Sequence, residues 1–155
     1  MIPSTHMLAG AVIGRNISNP VIIVFLSLII HFIMDTFRHG DYLNHNSTIK
    51  DVIRRVGLDF SIGFSIIILY FYFNSPEWII IRNISIGIFA SLFPDLLSFM
   101  YLKLNLKSLK KIFDFHIWIH RLFVTPKEKQ WRLIDAKNDI VFSVLFIIIL
   151  FFLKT

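Results

Sequence analysis

Residues 20–37 read PVIIVFLSLIIHFIMDTF. The first eleven of them carry no polar side chain except Ser27, and His31 and Asp35 then arrive four positions apart. Asn19-Pro20 just before this run is a turn followed by a favoured first helical residue. A helix advances about 1.5 Å per residue and needs about 20 residues to cross the hydrocarbon of a bilayer. The stretch therefore predicts a membrane span whose last turns turn polar. Three more stretches share its character. Residues 57–73 are apolar with Asp59 at their start, and 78–102 are interrupted by Arg82 and by Pro94-Asp95. Residues 138–153 end in the uncharged run IVFSVLFIIILFFL.

The segment PSTHMLAGAVIG, near the start, is short for a crossing and predicts a re-entrant or half-depth helix over 4–16, with Ser4 or Thr5 as its cap. It lacks the positive leader of a cleaved signal and reads as retained. The fold expected is all-α: one polytopic transmembrane helical bundle over residues 1–155, with four long spans and this short N-terminal helix. Residues 103–137 form a basic connection at the interface. Trp78, Tyr101, Trp118 and Trp131 lie near segment ends, where amphipathic rings favour the membrane surface.

Composition agrees. Of 155 residues, 55% are hydrophobic and 17% charged, and mean hydropathy is +0.69. Soluble domains hold about 45–50% apolar and about 25% charged residues. A disordered chain needs the reverse balance. The chain has no Cys, which excludes a disulfide scaffold, a Cys-ligated zinc ribbon and an iron–sulfur site. Of the 16 Lys and Arg residues, 13 fall in two connections, 38–55 and 103–137. The turn 74–77, NSPE, has none. Two crossings separate the basic connections, so both face one side, and the positive-inside rule makes that side cytoplasmic in a multi-pass protein of the cell (inner) membrane. The net charge of +6 then reads as topology and contact with anionic lipid head groups, not nucleic acid, since no base-stacking or groove-reading motif accompanies it. No Gly-rich phosphate loop or GxSxG motif is present.

Polar residues gather at the same cytoplasmic end. His31, Asp35 and His39 are spaced by four, so a helix would set them on one stripe, and Gly40 could end it. Asp59 opens the next span, Asp95 lies late in the third, and His116 and His120 repeat the spacing of four inside the basic connection. His6 joins them if residues 4–16 and 20–37 form a hairpin. Each has an ordinary explanation too. His31 can be a hydrogen-bonded core histidine, Asp35 can pair with Arg38, and Asp59 can serve a helix N-terminus. Convergence of separate segments favours a shared site. Imidazole and carboxylate together suit a divalent metal, Zn, Mn or Fe, either singly or as two ions bridged by a carboxylate. His31, Asp35, Asp95 and His120 are the first candidates as ligands, followed by His6, His39, Asp59 and His116.

On these residues the chain resembles small bacterial and archaeal inner-membrane proteins described as membrane-bound metal-dependent hydrolases. The matching pieces are Thr5-His6 with Gly10, His31 and Asp35 in HFIMD followed by Arg38-His39-Gly40-Asp41-Tyr42, Phe93-Pro94-Asp95, and His120-Arg121. The resemblance implies a metal-assisted hydrolase at the cytoplasmic membrane interface, acting on a lipid or phosphoester. Leu97 stands where such proteins carry a second Asp, and Leu122-Phe123-Val124 stand where they often carry a second His. Either His116 replaces the missing ligand or the chain has lost the activity. Two other readings of the residues stay open: a non-enzymatic polytopic protein whose His/Asp cluster knits its helices together, and a small transporter. Transport would need polar residues through the depth of the bundle, where Arg82 is the main one.

Overall fold

The computed structural model describes residues 1–39, 48–122 and 136–153, and every regular element among them is helical. Six α-helices follow in order: α1 Pro3–Asn16, α2 Pro20–Asp35, α3 Ile49–Asn74, α4 Trp78–Lys103, α5 Lys110–His120 and α6 Lys137–Phe152. A 3-10 turn at Lys107–Leu109 leads into α5. Asp41 and Trp131, singled out above, lie outside the described residues.

Helix α2 starts as its sequence demands. The Asn19 side chain accepts from the amides of Val21 and Ile22 at 2.9 and 3.3 Å, and Pro20 takes the first helical position. It stops earlier than expected. Thr36 is the C-cap, its hydroxyl donates to the Ile33 carbonyl at 2.7 Å, and the helix ends at Asp35. His39 therefore does not ride on the helix that carries His31 and Asp35. A second correction concerns span length. Helices α3 and α4, of 26 residues each, are long and apolar enough to cross a membrane. Helices α2 and α6 have 16 residues each. That is about 24 Å of helix, short of the ~30 Å of hydrocarbon. The four long spans expected are thus two long helices and two shorter ones. Within the connection expected over 103–137, residues 110–120 are helical.

Helix α1 is the hub, packed against α2, α3, α4 and α6. Its first eight residues after Pro3 are all buried, Ser4, Thr5 and His6 included. No side chain caps it from the preceding residue, Ile2, so the cap expected from Ser4 or Thr5 is absent. The acceptors come from other helices' acids instead. Asp59 of α3 accepts from the Ser4 amide and hydroxyl, both at 2.7 Å, and Asp139 of α6 accepts from the Ile2 amide at 3.0 Å. A buried helix start has amides that water cannot reach, so carboxylates there satisfy both the hydrogen bonds and the dipole.

Small residues let α1 lie backbone-to-backbone on α4. A methyl on Gly10 would sit 2.3 Å from the Gly87 carbonyl oxygen, and one on Gly14 would sit 2.2 Å from that of Asn83. Spacing of four on both helices makes this a small-residue seam of the kind used between helices in lipid. Polarity is inverted relative to a soluble bundle. His6, His31, Asp35, Thr5, Ser27 and Ser91 are 0% exposed, whereas Phe25, Leu58, Ile62, Ile68 and Phe89 are 59–65% exposed.

Candidate metal centre

The polar interior is concentrated where the N-terminus of α1, the C-terminal ends of α2 and α4, and α5 meet. Asp35 stands at its middle. Its Oδ2 lies 2.9 Å from His116 Nε2, 3.1 Å from His31 Nε2 and 3.3 Å from His120 Nε2. Its Oδ1 lies 3.2 Å from His6 Nε2 and 3.9 Å from His39 Nε2, and the Met1 amine also pairs with it. Asp95 faces the group from α4, with Oδ1 3.8 Å from His116 Nε2 and Oδ2 3.9 Å from His6 Nε2. His31 Nε2 and His120 Nε2 are 3.2 and 3.1 Å from His116 Nε2. The His6 and His31 rings stack at 4.1 Å.

Two overlapping sets have the chemistry and closeness to hold a metal ion: His31, Asp35, Asp95 and His116, and Asp35, His39 and His120. Within each, one ligand atom per residue lies within 4.8 Å of every other. Ligands about 2.0–2.1 Å from a tetrahedral zinc are about 3.3 Å apart from one another. The spacings of 2.9–3.3 Å around Asp35 Oδ2 match that figure. Asp35 belongs to both sets, which is the position of a bridging carboxylate.

The outer nitrogens fix how the rings present themselves. His31 Nδ1 donates to the Ser91 carbonyl at 2.7 Å, and His39 Nδ1 donates to the Phe37 carbonyl at 2.6 Å. A carbonyl can only accept, so in a neutral ring the proton is on Nδ1 and the Nε2 lone pair points inward. His116 Nδ1 meets the Ser98 hydroxyl at 2.7 Å, and when Ser98 accepts, His116 has the same tautomer. This is the hydrogen-bond support that metal-bound histidines usually carry. It also sets up an electrostatic demand. The His31 lone pair faces a carboxylate oxygen at 3.1 Å, an acceptor against an acceptor. A proton or a metal cation between them relieves that repulsion. Burial, and next the Met1 ammonium, hold His39 well below the ordinary imidazole range, so it stays neutral and available as a ligand.

Pro94 lies within helix α4 close to this arrangement. Lacking an N–H, it cannot bond the preceding turn, and its ring crowds the carbonyls there. Helix α4 nevertheless runs through it, and the carbonyl of Ser91, three residues earlier, turns to His31. Asp95 is 31% exposed and His120 is 23% exposed, so they form the mouth of an otherwise buried group.

Of the eight residues expected as ligands, His6, His31, Asp35, His39, Asp95, His116 and His120 come together here. Asp59 stands outside both sets, since Ser4 engages both its oxygens. Reading the sequence alone missed Ser91 and Ser98. Their only local signal is their position on α4, Ser91 three residues before Pro94 and Ser98 three after Asp95. No protein-family model matches the chain, and neither a curated protein nor a solved structure matches it significantly.

Proposed function

We propose that this chain is a metal-dependent hydrolase of the inner membrane, acting at the cytoplasmic interface on an ester or phosphoester bond. The observation that carries the reading is the convergence of inward-facing imidazole nitrogens on Asp35 and Asp95, with outer nitrogens anchored at Ser91, Ser98 and Phe37. The donor set, nitrogen and carboxylate oxygen without sulfur, suits Zn²⁺, Mn²⁺ or Fe²⁺. His31, Asp35, Asp95 and His116 would hold the ion, with His39 and His120 offering a second position beside Asp35. A bound ion of this kind supplies Lewis acidity and a water acidic enough to react near neutral pH. The protein's part is to hold the imidazoles in orientation through their outer nitrogens and to exclude bulk water behind the two partly open residues, Asp95 and His120.

The inverted polarity supports placement in the bilayer: the apolar surface needs lipid, and the buried acids need partners. The basic residues near the site end, Lys50, Arg54 and Arg55 in the first turns of α3 and Lys107, Lys110 and Lys111 in and around α5, support the cytoplasmic assignment and contact with anionic head groups.

The test is direct. Protein purified in mild detergent is assayed for transition-metal content and for release of product from phospholipid mixed micelles, before and after chelation. The expected result is a retained divalent ion and turnover that chelation removes and Zn²⁺, Mn²⁺ or Fe²⁺ restores. Absence of any ion, and failure to take one up, would refute the reading and leave a cluster that only knits helices together.

A further inference from the structure

A second feature meets the site from the lipid side. Helices α3 and α4 follow one another through the short turn at 75–77, yet they barely touch. Helix α3 leans on α1 and, more lightly, on α6, while α4 leans on α1, α2 and α5. Between them lies a trough of about 700 Å³. Val56, Phe60 and Phe64 of α3 and Ile88, Leu92 and Phe93 of α4 form its walls, and Met1 and Pro3 also line it. Asp95 lines it as well, and the same carboxylate reaches His6 and His116 in the cluster.

We infer that this trough holds the acyl chain of a lipid amphiphile, with the polar head group delivered past Asp95 to the cluster. The inference rests on the hydrolase reading for what happens at the head group and names its substrate class. Three observations select an acyl chain. The first is length. From Asp95 to Ser85 the wall formed by α4 runs ten residues, about 15 Å at the helical rise. One leaflet of a ~30 Å hydrocarbon core has the same depth. The second is chemistry. Along this wall Ser85 is the one polar side chain short of Asp95, and its hydroxyl is turned back to the Ile81 carbonyl at 2.9 Å. The third is access. Phe64 and Phe89 on the two rims are 49% and 63% exposed, so the trough opens sideways on the outer apolar surface, by which a lipid can enter. A water-soluble substrate would need none of these features.

Gly57 makes the idea testable. It lines the trough, and a Cβ there would meet nothing within 4 Å, so a larger side chain enters empty space instead of the packed seam. Wild type, Gly57→Phe and Ser85→Trp are reconstituted in vesicles of phosphatidylcholine and phosphatidylglycerol. The probe is a lysophosphatidylglycerol with a photoreactive diazirine in its acyl chain. Cross-linked peptides are mapped, and metal content is measured on the same samples. In wild type, labelling should concentrate on Val56 and Leu92 over the outward-facing Phe25 and Ile140. Gly57→Phe should lower trough labelling about tenfold, the contact of two methylene groups, and leave Phe25 and Ile140 unchanged. Ser85→Trp should exclude a long-chain probe and admit a short-chain one. Uniform labelling of trough and outer surface, or trough labelling that survives both variants, overturns the inference. If wild type carries metal but shows no preference for the trough, the acyl-chain inference alone fails. If the trough is labelled as expected but no metal is held, the hydrolase reading fails and the lipid site stands.

Discussion

Asp35→Asn should separate a metal centre from a packed polar cluster. The change keeps the side chain's size and one carbonyl oxygen and removes the charge. In the wild type, both oxygens are engaged: Oδ2 lies 2.9–3.3 Å from His116, His31 and His120, and Oδ1 lies 3.2 Å from His6. A four-ligand zinc site is worth about 10–16 kcal/mol near neutral pH, so the share of one ligand is about 2.5–4 kcal/mol. At about 1.4 kcal/mol per decade, metal affinity should fall by about two to three decades. Asp59→Asn is the matched control, because Asp59 bonds the Ser4 amide and hydroxyl, both at 2.7 Å, and belongs to neither ligand set. Weakening a helix-start acceptor should cost about 1 kcal/mol of stability and leave the metal in place. Affinity is read by competition with a fluorescent chelator, content by mass spectrometry of the purified protein, and stability by thermal unfolding in detergent. If Asp35→Asn binds metal as wild type does, or Asp59→Asn loses it to the same extent, the assignment of these two acids is wrong.

The remaining predictions concern support, packing and topology. Ser98→Ala removes the partner of His116 Nδ1 at 2.7 Å, and metal affinity by chelator competition should drop by about 10–100-fold with the fold intact. Gly87→Ala would place a methyl 2.1 Å from the Gly10 carbonyl oxygen, where ordinary contact begins at 3.4 Å, so α1 and α4 must part by the difference, 1.3 Å. Overpacking of this kind costs about 1–3 kcal/mol, visible as a lower unfolding midpoint in detergent, whereas Gly57→Ala should be silent. Because the chain has no Cys, single-cysteine variants report topology: a membrane-impermeant maleimide on intact cells should label Glu77→Cys and spare Arg54→Cys.

Spacing and hydropathy made much of the site legible. The apolar run at 20–30 and the Asn19-Pro20 start needed only local rules, and so did the pairing of His31 with Asp35 one turn on. One failure was a local helix closure, and the others depended on contacts between distant segments. Spacing of four extended the α2 stripe to His39, but the Thr36 hydroxyl closes the helix at Asp35, and His39 approaches Asp35 from beyond the helix end. Asp59 looked like a ligand because nothing local reveals that the α1 amides are buried and need an acceptor. Gly10 and Gly14 carried the spacing of a close helix seam, but their partners Asn83 and Gly87 lie about seventy residues away, and only the fold shows that the backbones touch. The trough could not be read at all, since it exists because two consecutive helices fail to pack on each other.

The division of labour among the acids sets which of them an ion would meet. Asp59 and Asp139 are engaged by the start of α1, so Asp35 and Asp95 are the carboxylates left to face the imidazoles. Ionised, they bring two negative charges into a group where Asp35, His6 and His31 are wholly buried, and the Met1 ammonium pairs with one of them. An uncompensated charge in such a place costs several kcal/mol even after relaxation. A cation held among the rings meets the remaining carboxylate charge and takes the inward lone pairs that the carbonyl bonds of His31 and His39 leave on a neutral ring. The acids open to such an ion thus follow from where α1 begins: its buried amides take Asp59 and Asp139 and leave Asp35 and Asp95 among the imidazoles.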